Sequence, residues 1–207
     1  MLITSMAVLL ATSAELAGPP ILCDAIAVQV GTFKPDSKLA ETAVKALKKS
    51  EGTLERLAIL RAVAIASMDR HDEGRELMSL LMAAALDAEA AGTPSANAWF
   101  DAGFFAAAHQ YSQVLGFAPG VAEGTWGYAW LTRAETLAPD DAVIDFALAL
   151  TVQPGARPER KDLHARHMNN AIAGSESDTP LRKTIDQHLA RYNLSVGDYT
   201  RDASARR

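Results

Sequence analysis

An all-α fold is what the 207-residue sequence predicts, on three observations. Alanine, the strongest helix former, is used throughout, and Val, Ile and Thr never alternate with polar residues over the length of a strand. Apolar residues recur three and four positions apart over helix-length stretches. Gly, Pro, Asn and Asp separate those stretches at positions that start or stop helices. With 49% apolar and 22% charged residues, the chain can bury a core of its own.

Eight helices follow in order. The first, Ser37–Lys49, carries Leu39, Val44 and Leu47 and ends in Lys45, Lys48 and Lys49, which suit the negative pole of its dipole. Thr53 is the expected cap of the second, whose stripe is Leu54, Leu57, Leu60 and Ile65. The third runs from Asp72 to Ala91, with Asp72 and Glu73 at its positive end and Gly92 as its terminator. Leu77, Leu80, Leu81 and Ala84–Leu86 are expected inside, and Glu76 and Glu89 on the polar face. Thr93-Pro94 opens the fourth, which ends at Leu115 before Gly116. The fifth covers Trp126–Ala138. Asp140 or Asp141 caps the sixth, which ends near Gln153. PGARP at 154–158 reads as a hinge, and the seventh helix spans Glu159–Ala173. Thr179-Pro180 starts the eighth, which ends near Tyr192 with Asn193 suited to a left-handed exit. Short connections favour antiparallel neighbours.

The two ends read differently. Within residues 1–17, the apolar run Leu2–Ala11 and the small residues Thr12, Ser13 and Ala14 resemble the apolar region and cleavage zone of a secretory signal peptide, although no Lys or Arg precedes them. An exported, periplasmic protein is expected. The alternatives are a retained apolar segment touching a membrane through Leu2–Ala11, or a cytoplasmic protein. The run is about ten residues long and cannot span a bilayer, which takes roughly 20. Residues 18–36 read as an extended strap containing ILCDAIAVQV, the one strand-like stretch. Residues 37–193 form a single helical domain, and 194–207 a basic tail. The lone Cys23 excludes an internal disulfide and a CxxC knuckle, and reads as a small buried hydrophobe.

Charge is unevenly spread. Residues 1–156 hold 10 Lys/Arg against 18 Asp/Glu, whereas residues 157–207 hold 10 against 7. The basic quarter reads as a solvated face rather than a nucleic-acid platform, because no aromatics interleave its arginines.

Residues 99–139 carry the most specific pattern. Trp99, Ala102, Gly103 and Ala106 share one helix, and Gly127, Leu131 and Ala134 the next, which stops at Pro139. Small residues let two backbones approach, and aromatics fill the remaining space. This pairing resembles the tetratricopeptide repeat, with Asp145, Leu148, Ala149 and Val152 opening a further unit, so that the resemblance covers about residues 99–152. It implies stacked antiparallel hairpins and the holding of protein partners. The Trp99–Pro139 interval exceeds that repeat by about a dozen residues, which leaves an irregular helical bundle as the alternative.

Candidate sites are few. Ten aromatics fall between Trp99 and Phe146, and the core of the central hairpins accounts for most of them. Tyr111, Trp126 and Tyr128 are the expected partner contacts among them, joined by Arg182 and Lys183. His164 and His167, three apart on the seventh helix with Asp162 nearby, have zinc-ligand chemistry. No HExxH motif or Cys partner accompanies them, and Arg160, Lys161 and Arg166 flank them, so a solvated or partner-facing pair is expected. His71, His109 and His188 read as caps or surface groups. No catalytic residue, cofactor or metal is expected, since no nucleophile elbow, phosphate loop or dinucleotide fingerprint is present. The expected function is a non-catalytic protein–protein interaction module or assembly subunit, in which self-association is allowed. A ligand-binding protein or enzyme with an aromatic pocket around Trp126, Tyr128, Trp130 and His109 is the alternative, and a peripheral membrane protein the third.

Overall fold

The computed structural model describes residues 39–67, 70–113, 126–152, 158–177 and 179–199. Among these every regular element is a helix: α1 Leu39–Lys49, α2 Thr53–Ala66, α3 His71–Ala90, α4 Ala96–Gln113, α5 Trp126–Leu137, α6 Ala142–Thr151, α7 Pro158–Ala173 and α8 Pro180–Ala190. The all-α reading and the order of eight helices hold. The segments read as a signal peptide and as a strap with a strand-like run, together with Cys23 and residues 114–125, lie outside the described residues, as does most of the segment read as a hinge.

Helix ends follow local chemistry. Asp141 caps α6 by accepting hydrogen bonds from the Val143 and Ile144 amides. Thr179 does the same for α8 through the Arg182 amide, with Pro180 in the first turn. Gly92, at φ 71°, closes α3, because the Thr93 amide reaches the Ala88 carbonyl and the Gly92 amide that of Glu89. Asn193, at φ 56°, makes the same turn after α8. Two caps differ from expectation. The α4 cap is Ser95, whose hydroxyl oxygen accepts from the Ala98 amide, since Pro94 stiffens the approach without supplying a cap. Thr53 is already helical, and its hydroxyl donates across the fold to Asp141.

The core sits around α4. This helix is buried on every side from Trp99 to Ala106 and packs against α2, α3, α5 and α6. Trp99, Phe100, Phe104 and Phe105 are all buried, so these four aromatics are core. The tightest join is α4 with α5. A Cβ added at Gly103 would lie 2.7 Å from the Leu131 amide nitrogen, and one at Gly127 2.8 Å from that of Ala107. The Trp99 and Trp130 rings close the gap beside it, 6.5 Å apart. Helix α6 is buried from Val143 through Ala149 and packs on α2, α4, α5 and α7. The edge helices contribute single stripes, Leu181, Ile185 and Leu189 from α8 and Leu77, Leu81 and Ala85 from α3. Leu80 and Leu86, expected inside, are 40% and 49% exposed. Helix α3 packs mainly on α1 and α4, so one i, i+4, i+8 row faces inward and its neighbours do not.

Charged residues inside the apolar helices are paired. Asp101 of α4 takes a two-pronged contact from Arg56 of α2, through Nε at 2.9 Å and through Nη2. The same guanidinium closes the end of α1 by donating to the Leu47 carbonyl at 2.6 Å and to Ser50 Oγ at 2.9 Å. Arg182 repeats the device at the end of α7, donating to the Ile172 and Ser175 carbonyls, each at 2.7 Å. Glu89, expected on a polar face, instead joins three helices by accepting from Trp99 Nε1 at 2.9 Å and Arg133 Nε at 2.8 Å.

Gly103→Ala is expected to destabilise the protein by about 1–3 kcal/mol through overpacking. The gain of about 1 kcal/mol in helix propensity is smaller, because the obstructing atoms are backbone. Denaturant titration of the purified variant checks the sign. Arg56→Met leaves Asp101 buried without its partner and is expected to cost about 3–5 kcal/mol in the same measurement.

Candidate functional site

Where α5, α6 and α7 meet, three ionisable side chains converge. Asp145 stands in AVIDFALAL on α6, a run otherwise apolar, so its carboxylate is carried into the core with its neighbours. His167 lies on the buried side of α7 and Glu135 on the half-buried side of α5. Their ligand atoms all lie within 4.8 Å of one another. His167 Nδ1 is 2.8 Å from Asp145 Oδ1 and 3.6 Å from Glu135 Oε1. Asn170 Nδ2 also donates to Asp145 Oδ1, at 3.3 Å. On the opposite side of the ring, Arg166 Nη2 donates to His167 Nε2 at 3.1 Å. An arginine only donates, so this contact assigns the ring proton to Nδ1, where it bonds Asp145.

The two α7 histidines are buried rather than solvent-facing, and they point to different partners. His164 Nδ1–H is shared between the carbonyls of Ala149 at 2.9 Å and Val152 at 2.8 Å, at the end of α6. Its Nε2 accepts from the Tyr199 hydroxyl at 3.0 Å. Both nitrogens are thereby engaged, and Asp162 is exposed, so the His164–His167–Asp162 set suggested by spacing does not assemble. Residues 195–199, placed in the tail by the sequence reading, are docked by that Tyr199 contact. Their turn is capped by Asp198, which accepts from the Ser195 amide and hydroxyl.

A second group of bases lies beside His164. His188 on α8 is not a surface group: its ring meets Phe146 edge-on at 5.7 Å and Tyr192 at 5.3 Å. Burial pushes its pKa down to about 4, helped by His164, Arg61 and Arg191. Burial likewise lowers His164, against the two carbonyls that favour its charged form. Arg61 is lowered by burial and by Arg191. Burial raises the Asp101 carboxyl to about 6 despite Arg56.

The expected partner-contact residues scatter. Tyr128 is half-buried and packs on the core. The side chains of Tyr111 and Trp126, like that of His109, lie outside the described residues. The Arg182 guanidinium is spent inside the chain, and Lys183 is exposed. A depression of about 490 Å³ lies elsewhere, at the α5–α6 turn between Pro139, Asp141, Gly174 and Leu181. Among the described residues, no helix is long and apolar enough to cross a membrane. The fold and this junction define an all-α protein of packed helical hairpins with a carboxylate–imidazole cluster inside. No protein family, curated protein or solved structure matches the chain.

His188 gives a pH prediction. Its pKa is depressed on folding, so its neutral form supports the fold above about 6.5, and that support is lost as pH falls toward about 4. Thermal unfolding of wild type and His188→Gln is expected to converge in midpoint between those limits. The comparison cancels Asp101, whose raised pKa acts in the opposite sense over the same range.

Proposed function

We propose that this chain is a non-catalytic interaction module, a structural subunit that presents a rigid stack of helical hairpins to a protein partner. The observation that carries the reading is the outer face of α3. Leu80, Ala83, Ala84 and Leu86 form an exposed apolar strip, interrupted by exposed Glu76, Ser79 and Asp87, on a helix whose other side is fixed in the core. Exposed leucines held on a fixed helix offer apolar contact area to a partner.

Two further features support the reading. Helix α1 packs on α3, α2 on α4 and α4 on α6, so alternate helices lie side by side in this part of the fold. The buried ionisable groups Asp101 and His164 are engaged in bonds that join helices rather than facing an open cleft. Export to the periplasm belongs to the same proposal and rests on the Leu2–Ala11 run.

The double variant Leu80→Glu/Leu86→Glu tests it. Both positions are solvent-facing, so stability is expected to stay within about 0.5 kcal/mol of wild type. Parallel affinity purification from the native source, read by quantitative mass spectrometry, is expected to show a partner recovered with wild type and at least tenfold depleted with the variant. Identical recovery with both chains overturns the reading. A chain that emerges alone with a small molecule in native mass spectra favours the ligand-binding alternative.

A further inference from the structure

The junction of α5, α6 and α7 has more acceptors than donors. One proton on His167 Nδ1 faces two carboxylates, Asp145 Oδ1 at 2.8 Å and Glu135 Oε1 at 3.6 Å. It can satisfy one of them. A second ring proton would sit on Nε2, on the opposite side of the ring, and adds no donor toward the two carboxylates. Asp145 is only 4% exposed, yet both its side-chain donors, His167 and Asn170, reach Oδ1. Its Oδ2 takes no hydrogen bond among the described residues. A buried carboxylate oxygen left unpaired is costly, and a cation is the partner that removes the cost.

From this geometry we infer a divalent transition-cation site, with His167 Nδ1, Asp145 and Glu135 as its ligands. The donor set of one imidazole nitrogen and two carboxylate oxygens suits zinc, with solvent completing the shell from the half-exposed Glu135 side. Ligand atoms of a tetrahedral zinc lie roughly 3.4 Å apart; the two separations from His167, 2.8 and 3.6 Å, lie on either side of that, and all three ligand atoms fall within 4.8 Å of one another. Side-chain adjustment of about an ångström closes the set. Binding moves the imidazole proton from Nδ1 to Nε2. There it opposes Arg166, which is exposed and can turn into solvent. The cation would tie three helices at one point and so stabilise the domain. The site is independent of the α3 strip and of the partner proposal built on it.

The test uses the full chain stripped with chelator, then titrated with Zn²⁺ by calorimetry and with Co²⁺ by visible absorption. One equivalent per chain is expected, with Co²⁺ bands of a nitrogen–oxygen site and a higher thermal midpoint. Glu135→Gln, at a half-exposed position that should not disturb folding, is expected to weaken Zn²⁺ binding at least tenfold, and Asp145→Asn likewise. Asp162→Asn, on the exposed face of the same helix, should bind as wild type does. Arg166→Ala should bind several-fold more tightly, because a competing donor is removed. A stoichiometry well below one, or Glu135→Gln and Asp145→Asn binding as tightly as wild type, overturns the inference.

Discussion

The constraint on which the structure depends is that α4 is buried on every side over two turns, Trp99 to Ala106. Such a stretch must be enclosed, and here four other helices enclose it. Enclosure at normal interaxial distance would leave the aromatics of α4 competing with those of α5. The glycines at 103 and 127 resolve this by letting the two backbones come together, so that Trp99 and Trp130 pack at the side of the contact rather than within it. The positions of α5 and, through the Asp141-capped turn, of α6 follow from that approach. The carboxylate of Asp145 is thereby delivered to Glu135 and His167.

Burying so much helix surface carries charges inward with it, and the fold treats them in two ways. Asp101 and Arg56 saturate one another, and Arg56 spends its remaining donors on the open carbonyls at the end of α1. His164 is likewise saturated, by two carbonyls and a tyrosine hydroxyl. The Asp145–His167–Glu135 group is not, since two acids share one imidazole proton. That asymmetry separates a joint from a site. Where every donor has an acceptor, the group is explained by the architecture; where acceptors are in excess, solvent or a bound ion supplies the remainder.

Much of this was legible in the sequence, for local reasons. Helix order, the Asp141 and Thr179 caps, the Gly92 and Asn193 exits and the small-residue seam depend on neighbours within a turn or on a single repeating spacing. The partners of buried charges depend on which helices meet, and no local pattern encodes that. Asp101 in WFDAGFF and Asp145 in AVIDFALAL were not read as buried charges, although a signal was there: one acid inside an apolar run must find a donor on another helix. His164 and His167 misled because flanking charges suggested an exposed face, whereas both rings turn toward α6 and meet different groups along it, the Ala149 and Val152 carbonyls and the Asp145 carboxylate. Leu80 and Leu86 misled in the opposite direction, since the inward arc of α3 is set by how many helices cover it.

The two ends of the domain solve one problem with the same parts. After α1, the Ser50 hydroxyl donates to the Leu47 carbonyl, and Arg56 from the next helix donates to that same carbonyl and to Ser50 Oγ. After α7, the Ser175 hydroxyl donates to the Ile172 carbonyl, and Arg182 from α8 donates to that carbonyl and to Ser175 Oγ. Each guanidinium lies at the negative pole of the preceding helix, where the last carbonyls lack intrahelical partners. A Ser–Arg clamp at both junctions fixes the turn between consecutive helices without needing a long loop. It also explains why Arg182, which the sequence offers as a docking residue, is unavailable to a partner. Basic residues in a helix-rich chain divide between those that close helix ends and those that face outward, and only the contact at the end of the previous helix tells them apart.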